Sequence, residues 1–237
     1  NLNISTTTDF IIPSTAGLTI NTPSNVYISN NAGSETLYLN GRLRILSGGG
    51  NVYIGPDGNT GNNADIEYSG SGSSLLETGS GNLFVNGQIR RPVASTNGTL
   101  TYRQNGGNVI IYGNNANVTK AKLEVLNEGS EFTMSGGTLT IVRGGGTTFG
   151  DLYLRPASGS VTGGTVIFSQ SPAGGTLIDA AQSYLLDANT PLNNLTVTGK
   201  TAGTNRNADL SLMISPLVVN GSLTLTNDRS SLSSNNR

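Results

Sequence analysis

The sequence pattern that most constrains the fold is a heptapeptide in which Asn-Gly separates two runs of alternating apolar residues. It occurs three times, at Leu37–Leu43, Leu83–Ile89 and Leu217–Leu223. A two-residue β-hairpin would place Leu39 opposite Arg42, so the apolar residues before and after the turn would lie on opposite faces. If the chain only bends at Asn-Gly, the alternation continues and the small Gly41 lies inside the bend. The pattern therefore predicts corners of a β-helix and not hairpins.

A second recurrent feature is a Gly-Gly pair followed by Asn or Thr and a short strand pattern. It occurs at Gly49–Val52, Gly106–Val109, Gly136–Leu139, Gly163–Val166 and Gly174–Leu177. Imperfect repetition of short strand-and-turn units is typical of solenoids.

We therefore expect an all-β fold, a right-handed parallel β-helix of short strands, over residues 1–228. Residues 229–237 are expected to be a polar tail or a linker to the next segment. Three strands per coil of roughly 20 to 27 residues predict about nine or ten coils. The only segment with helical potential is Asp179–Leu186, where the apolar residues would support a turn or two.

The composition excludes several kinds of chemistry. The 237 residues include no Cys and no His, which removes disulfides, thiolate and imidazole metal ligands, and Ser-His-Asp hydrolysis. Charged residues make up 11% of the chain and the formal net charge is −1, so we expect no nucleic-acid partner. No apolar run approaches the roughly 20 residues that a membrane-spanning helix needs, so we expect no direct membrane insertion.

The densest polar stretch, residues 57–67, offers carboxylate and amide oxygens to a hard cation such as Ca²⁺. The candidate metal ligands are Asp57, Asn59, Asp65 and Glu67. The stretch departs from the EF-hand pattern because Gly61 stands where the third oxygen ligand belongs. A long solvated corner held by Asx-turns and glycine is the favoured alternative, and we expect no cofactor. A second acidic group, Glu124, Glu128 and Glu131, is interpreted as a solvated face.

Outward-facing side chains offer further candidate surfaces. Four tyrosines would stack on sugar rings if they aligned from coil to coil, and would otherwise be ordinary exposed β-formers. They are Tyr27, Tyr38, Tyr53 and Tyr153. Outward threonines would form an array of the kind that binds ice, although sequence alone does not fix the register between coils. They are Thr140, Thr196, Thr198, Thr224 and Thr226. Arg42 and Arg44 alternate with apolar residues, so we expect them to point outward and to pair with Glu67 or another acid.

The closing segments Pro191–Val197 and Pro216–Leu225 resemble repeats in very large exported surface proteins of Bacteroidota. The resemblance implies a β-helical stalk, export by the type IX secretion system, a secreted or cell-surface location, and a role in adhesion or gliding. It also suggests surface glycans or the secretion machinery as partners. The family's C-terminal sorting domain is not visible in this sequence, so the export route rests on the resemblance alone.

The first and last strand patterns have no recognisable capping element. We therefore expect neighbouring β-helical segments of the same protein to pack against them, because exposed strand edges recruit other strands.

Parallel β-helices also include polysaccharide-cleaving enzymes. A glycosidase needs two converging carboxylates, and a lyase needs acids that bind Ca²⁺ beside a basic group. Polygalacturonase-like motifs are missing, since the chain has no His and no Asp-Asp, and Arg44-Ile45 is followed by Leu46. We therefore expect a non-catalytic structural or adhesive stalk segment. The alternative is a carbohydrate-binding or polysaccharide-cleaving β-helix of the lyase or glycosidase kind.

Overall fold

The computed structural model describes residues 1–4, 8–29, 34–46, 50–58, 63–69, 74–200, 203–204, 207–214, 216–226 and 229–234. Within these residues the chain forms strands and no helix, because short runs of alternating apolar and polar residues favour extended backbone. In chain order the strands are β1 (Leu2–Asn3), β2 (Phe10–Ile12), β3 (Gly17–Ile20), β4 (Val26–Ile28), β5 (Leu37–Leu39), β6 (Arg42–Ile45), β7 (Asn51–Ile54), β8 (Ile66–Glu67), β9 (Leu75–Thr78), β10 (Asn82–Val85), β11 (Ile89–Arg90), β12 (Thr101–Gln104), β13 (Asn108–Ile111), β14 (Leu123–Met134), β15 (Thr138–Ile141), β16 (Leu152–Val161), β17 (Thr165–Ser169), β18 (Gln182–Ala188), β19 (Asn194–Thr198), β20 (Ala208–Leu212), β21 (Leu223–Thr226) and β22 (Ser230–Ser234).

These strands pair in parallel and stack as a β-solenoid with three faces. Face 1 is a nine-stranded sheet in the order β1-β4-β7-β10-β13-β15-β17-β19-β21. The other strands form a 13-stranded sheet that divides into two faces, because β14 and β16 each continue around a corner. Face 2 contains β2, β5, β8, β11, the first parts of β14 and β16, β18, β20 and β22. Face 3 contains β3, β6, β9, β12 and the second parts of β14 and β16.

Face 1 stacks nine strands, one from each pass of the chain around the solenoid, whereas face 3 stacks six. Counted between paired residues of face 1, a turn takes between 24 residues, from Leu2 to Val26, and 31 residues, from Val52 to Leu83. The extra residues lie in long connections, such as residues 112–122 between β13 and β14. Lengthening a surface loop costs little closure entropy, so the coil length is free to vary.

The Asn-Gly heptapeptides form bends, as predicted. Five inward positions along β5 and β6 are buried on both sides of the first bend: Leu37, Leu39, Gly41, Leu43 and Ile45. The first heptapeptide joins face 2 to face 3 and the second joins face 1 to face 2. The third precedes β21 and leads into face 1. The heptapeptide therefore marks a bend and has no fixed place within the coil.

Four of the five Gly-Gly motifs lead into strands of face 1. At this corner Gly107 and Gly137 have φ angles of 61° and 78°. A Cβ on Gly137 would lie 2.3 Å from the carbonyl oxygen of Gly107 in the neighbouring turn. Neither the backbone conformation nor the spacing admits a larger residue, so glycine is required there.

The polar residues that open four successive strands of face 1 form a ladder. The Nδ2 atom of Asn82 donates to Oδ1 of Asn51 (3.0 Å), and Nδ2 of Asn108 donates to Oδ1 of Asn82 (2.9 Å). Thr138 continues the ladder by donating its hydroxyl to Oδ1 of Asn108 (2.7 Å). These bonds hold the strands of face 1 in register.

Inward-facing Leu, Ile and Val side chains from all three faces fill the interior. Several aromatic residues lie among them, including Tyr102, whose ring stacks on Phe132 with centroids 5.0 Å apart. The hydroxyl of Tyr68 donates to the carbonyl of Glu124 (2.6 Å). Burial raises the pKa of both Tyr68 and Tyr102.

Two segments differ from the sequence-based expectations. The helical potential assigned to Asp179–Leu186 is not realised, because Tyr184 and Leu186 alternate inward on β18 and pair with β20. Ser230–Ser234, expected in a polar tail, forms β22 and pairs with β20. No helix in the described part of the chain is long and apolar enough to span a bilayer.

Candidate functional site

The outward side of face 1 carries an aromatic stack. Tyr27, Tyr53 and Phe84 occupy the same position on successive strands, and both neighbouring pairs of rings stack with centroids 4.8 Å apart. Tyr53 and Phe84 are buried. Residues 170–181 pass over this side of the sheet, and Ile178 packs in a second apolar cluster with Tyr53 and Phe84. We call residues 170–181 the strap.

A hydrogen-bonded contact ties the strap to an early turn. Asp57 accepts hydrogen bonds from the hydroxyls of Tyr112 and Thr176, and the backbone N–H of Thr176 donates to the Tyr112 hydroxyl oxygen (2.7 Å). Gly58 is glycine because a Cβ there would lie 2.3 Å from the Cβ of Thr176. The strap therefore closes over face 1, and the aromatic stack is part of the protein's own packing.

The outward side of face 2 carries charged residues. Tyr38, Glu67, Arg90, Glu124, Tyr153 and Asp187 lie in register along it. Arg90 contacts Asp65 at 2.7 Å and Glu67 at 2.6 Å. Arg91 binds Glu124 through Nε (2.9 Å) and through its backbone N–H (2.8 Å).

Three connecting loops cover these charges. Arg91 donates to the carbonyl of Thr96 (2.6 Å), and its guanidinium lies 4.9 Å from the ring centroid of Phe149. Lys120 donates to the carbonyl of Ser95 (2.7 Å). The side chains of Arg91 and Glu124 are 2% and 0% exposed. Residues 92–99, 113–121 and 143–150 therefore form a roof over a buried ionic cluster.

Burial raises the pKa of two carboxyl groups in this region, Asp65 and Asp151. A raised pKa is a property of general acids, but structural ion pairs show it as well. One oxygen of Asp65 accepts from the N–H of Gln88 (2.6 Å) and the other accepts from Arg90 (2.9 Å). The oxygens of Asp151 likewise accept from two backbone N–H groups. Both carboxylates are therefore engaged by hydrogen-bond donors of the protein itself, which is typical of structural groups.

Among the residues that the structure describes, no loop covers face 3 in this way, and its outward residues are partly or fully exposed. One outward row is Thr19, Arg44, Glu77, Arg103, Thr133 and Ser160, and the adjacent row is Gly17, Arg42, Leu75, Thr101, Glu131 and Ser158. A groove of about 610 Å³ lies over the first four strands of this face. Residues 14–17, which lead from β2 into β3, line it together with the side chains of the two rows. We call it the face 3 groove.

Three arginines give the groove its charge. Arg44 is held by Glu77 (Nε to Oε2, 2.8 Å) and Arg103 by Glu131 (3.1 Å). Glu77 raises the pKa of Arg44 through this hydrogen bond. Arg42 is exposed, and its side chain has no ion pair with any residue that the structure describes. The groove therefore has two oriented guanidinium groups and one that is free to bind.

The structure separates most residues that the sequence analysis grouped together. Asp57 lies under the strap on face 1, whereas Asp65 and Glu67 bind Arg90 on face 2, and Asn59 lies outside the described residues. No group of three or more acidic residues positioned to hold a metal ion occurs in the described ranges.

The four candidate tyrosines are also divided. Tyr27 and Tyr53 stack on face 1, while Tyr38 and Tyr153 lie on face 2 with three charged residues between them. The outward threonines align only locally, since Ile167 separates Thr140 from Thr196 along face 1. None of these residues forms an open ladder across several turns.

Arg42 and Arg44 point outward, as expected from the sequence, whereas Glu77 and Arg103 were not recognised there as their neighbours. Both missed residues occupy outward positions of short strands, next to the inward Leu76 and Tyr102. That alternation was visible in the sequence, but only the register between turns brings them beside Arg44.

No family model, curated protein or solved structure matches the chain.

Proposed function

We propose that this chain is a non-catalytic structural and adhesive segment of a secreted bacterial surface protein. In this proposal the solenoid extends the protein away from the cell, and the outward side of face 3 is the adhesive surface. One observation carries the proposal: loops of the chain cover the outward side of much of faces 1 and 2, whereas face 3 stays open with its charges at the surface.

The charge arrangement in the groove supports a binding role over a cleaving one. Hydrolysis of a glycosidic bond needs two carboxyl groups placed across that bond. Glu77 and Glu131 are instead each engaged by an arginine, and they lie on different outward rows. The two carboxylates therefore orient the guanidinium groups of their arginine partners.

The exposed edge of the last face 1 strand supports neighbouring solenoid coils as partners. Leu223 and Leu225 continue the inward rows of Leu195 and Val197, yet they are 50% and 48% exposed. A further coil stacked on β21 would bury both side chains and satisfy the edge of the strand. The bacterial surface location, the Bacteroidota origin and export by the type IX pathway belong to the same proposal and rest on the resemblance of the closing repeats.

Turnover assays test the non-catalytic part of the proposal. Pectin, alginate and a neutral glucan are incubated with the purified chain, and new reducing ends and unsaturated products are measured. The proposal expects no product above a buffer control. Product formation that disappears in a Glu77→Gln variant would overturn it in favour of a polysaccharide-cleaving enzyme.

A further inference from the structure

We infer that the face 3 groove is a binding site for an anionic polysaccharide, with Arg42 as its free cation. The inference rests on the proposed adhesive function and adds the chemical class of the ligand. Carboxylate and sulfate groups share the chemistry that arginine recognises, because the planar guanidinium donates two parallel hydrogen bonds to either.

The local charge favours an anion. The chain as a whole has a formal net charge of −1. The groove departs from this, since Glu77 pairs with Arg44 and Glu131 pairs with Arg103, and Arg42 leaves one positive charge in excess. An excess of positive charge in a concave surface attracts ligands of the opposite charge.

The positions of the three arginines suit repeated anionic groups. Arg44 and Arg103 lie two strand spacings apart in one row, on β6 and β12. Neighbouring strands are about 4.8 Å apart, so the two guanidinium groups sit on backbone positions about 10 Å apart along the solenoid axis. Arg42 lies beside Arg44 in the adjacent row.

The surroundings of the arginines indicate a polymer of sugars. Hydroxyl groups of Ser14, Thr15, Thr19 and Thr101 line the groove, and they can pair with sugar hydroxyls. The outward row continues beyond the groove as Thr133 and Ser160, so the polar stripe spans six strands. The described residues that line the groove include no aromatic side chain, so binding here rests on charge and hydrogen bonds and weakens as salt is added.

The test measures binding of three polymers by isothermal titration calorimetry at low and high salt. The probes are polygalacturonate, which carries carboxylates, dextran sulfate, which carries sulfates, and uncharged dextran. Binding of one or both anionic polymers, with dextran unbound, is the expected result. The pair of anionic probes distinguishes the two sources of negative charge.

Three variants locate the site. Arg42→Gln is expected to weaken anionic binding about tenfold, the loss of one charged hydrogen-bonding group. Glu77→Gln is expected to tighten binding, because it releases Arg44 to the ligand; general disruption of the fold would not produce this change. Arg229→Gln removes the same charge at an exposed position in the last turn and is expected to leave the affinity unchanged.

Three outcomes would overturn the inference. They are absence of binding to both anionic polymers, equal binding of dextran, and equal weakening by Arg229→Gln and Arg42→Gln. Failure of the proposed function gives a separate result, because it is read from product formation in the turnover assay. A chain that neither binds nor cleaves these polymers would refute the groove's ligand and leave the structural role standing.

Discussion

Two of the three glutamates on strand β14, Glu124 and Glu131, lie seven residues apart in entirely different surroundings. Glu124 is on face 2, where its carboxylate binds Arg91 under a roof of loops and is 0% exposed. Glu131 is on face 3, where it pairs with Arg103 in the open and is 31% exposed. Both are outward positions of one strand and both pair with an arginine from the preceding turn.

The difference between these pairs shows what the loops contribute. A charge pair in water gains little, since solvent already satisfies both partners and salt screens them. Under a roof of loops the same pair is removed from water, so each charge is compensated only by its partner. The charged residues of face 2 hold loops onto the solenoid, whereas the charged residues of face 3 remain accessible to a ligand.

The largest expected effect comes from breaking the covered pair. Glu124→Gln should lower the free energy of unfolding by about 3–5 kcal/mol, because it leaves the guanidinium of Arg91 buried without its counter-ion. Urea denaturation followed by circular dichroism measures the change.

Glu131→Gln is the matched control on the same strand. It should cost less than about 1 kcal/mol, because its arginine stays in contact with water. Equal losses for the two variants would show that the roof over face 2 admits solvent and that the two faces do not differ.

The sequence predicted the path of the backbone better than it predicted which charged side chains are buried. Parity around Asn40-Gly41 was enough to distinguish a bend from a hairpin, because it depends only on neighbouring residues. The interpretation of Glu124 as part of a solvated face was wrong, because its burial comes from residues 92–99 and 143–150, far away along the chain.

Register between turns was equally hard to predict. Coil lengths counted on face 1 vary from 24 to 31 residues, so no fixed period identifies which outward residues become neighbours. For that reason the pairing of Arg44 with Glu77 and the division of the four tyrosines between two faces emerged only from the structure.

A second, smaller effect is expected on face 1, where the strap is the cover. Asp57→Ala should cost about 1–3 kcal/mol, because the buried hydroxyl of Tyr112 loses its acceptor. Asp209→Ala, which removes a surface acceptor of Ser231, is the control and should cost less. Protection of residues 170–181 in hydrogen exchange should fall only in Asp57→Ala; unchanged protection would mean that apolar contacts alone hold the strap.

The stability of the protein at alkaline pH tests the same contact between the strap and face 1. Burial, followed by the hydrogen bond to Asp57, raises the pKa of Tyr112 in the folded state. The stability that protonated Tyr112 contributes is therefore fully present below about pH 10, the pKa of tyrosine in the unfolded chain. As pH rises above that pKa, the free energy of unfolding falls by about 1.4 kcal/mol per pH unit. Tyr112→Phe should flatten the fall in stability above that pH. Identical slopes for variant and wild type would show that Tyr112 meets solvent in the folded chain.

The smallest effect on stability is expected at the exposed edge of β21. Leu225→Thr should change the free energy of unfolding by no more than about 0.5 kcal/mol, because Leu225 is half exposed. It should nevertheless reduce end-to-end association in light scattering. A wild-type chain that stays monomeric at high concentration, with β21 amides as protected from exchange as those of Val109–Ile111, would contradict an open edge.

The most direct test of the account measures stability and binding together on Glu124→Gln and Arg42→Gln. The account predicts opposite outcomes: Glu124→Gln loses stability and keeps the wild-type affinity for anionic polysaccharide, whereas Arg42→Gln keeps its stability and loses affinity. The account would be contradicted if Arg42→Gln unfolded more easily while binding normally, or if Glu124→Gln kept full stability.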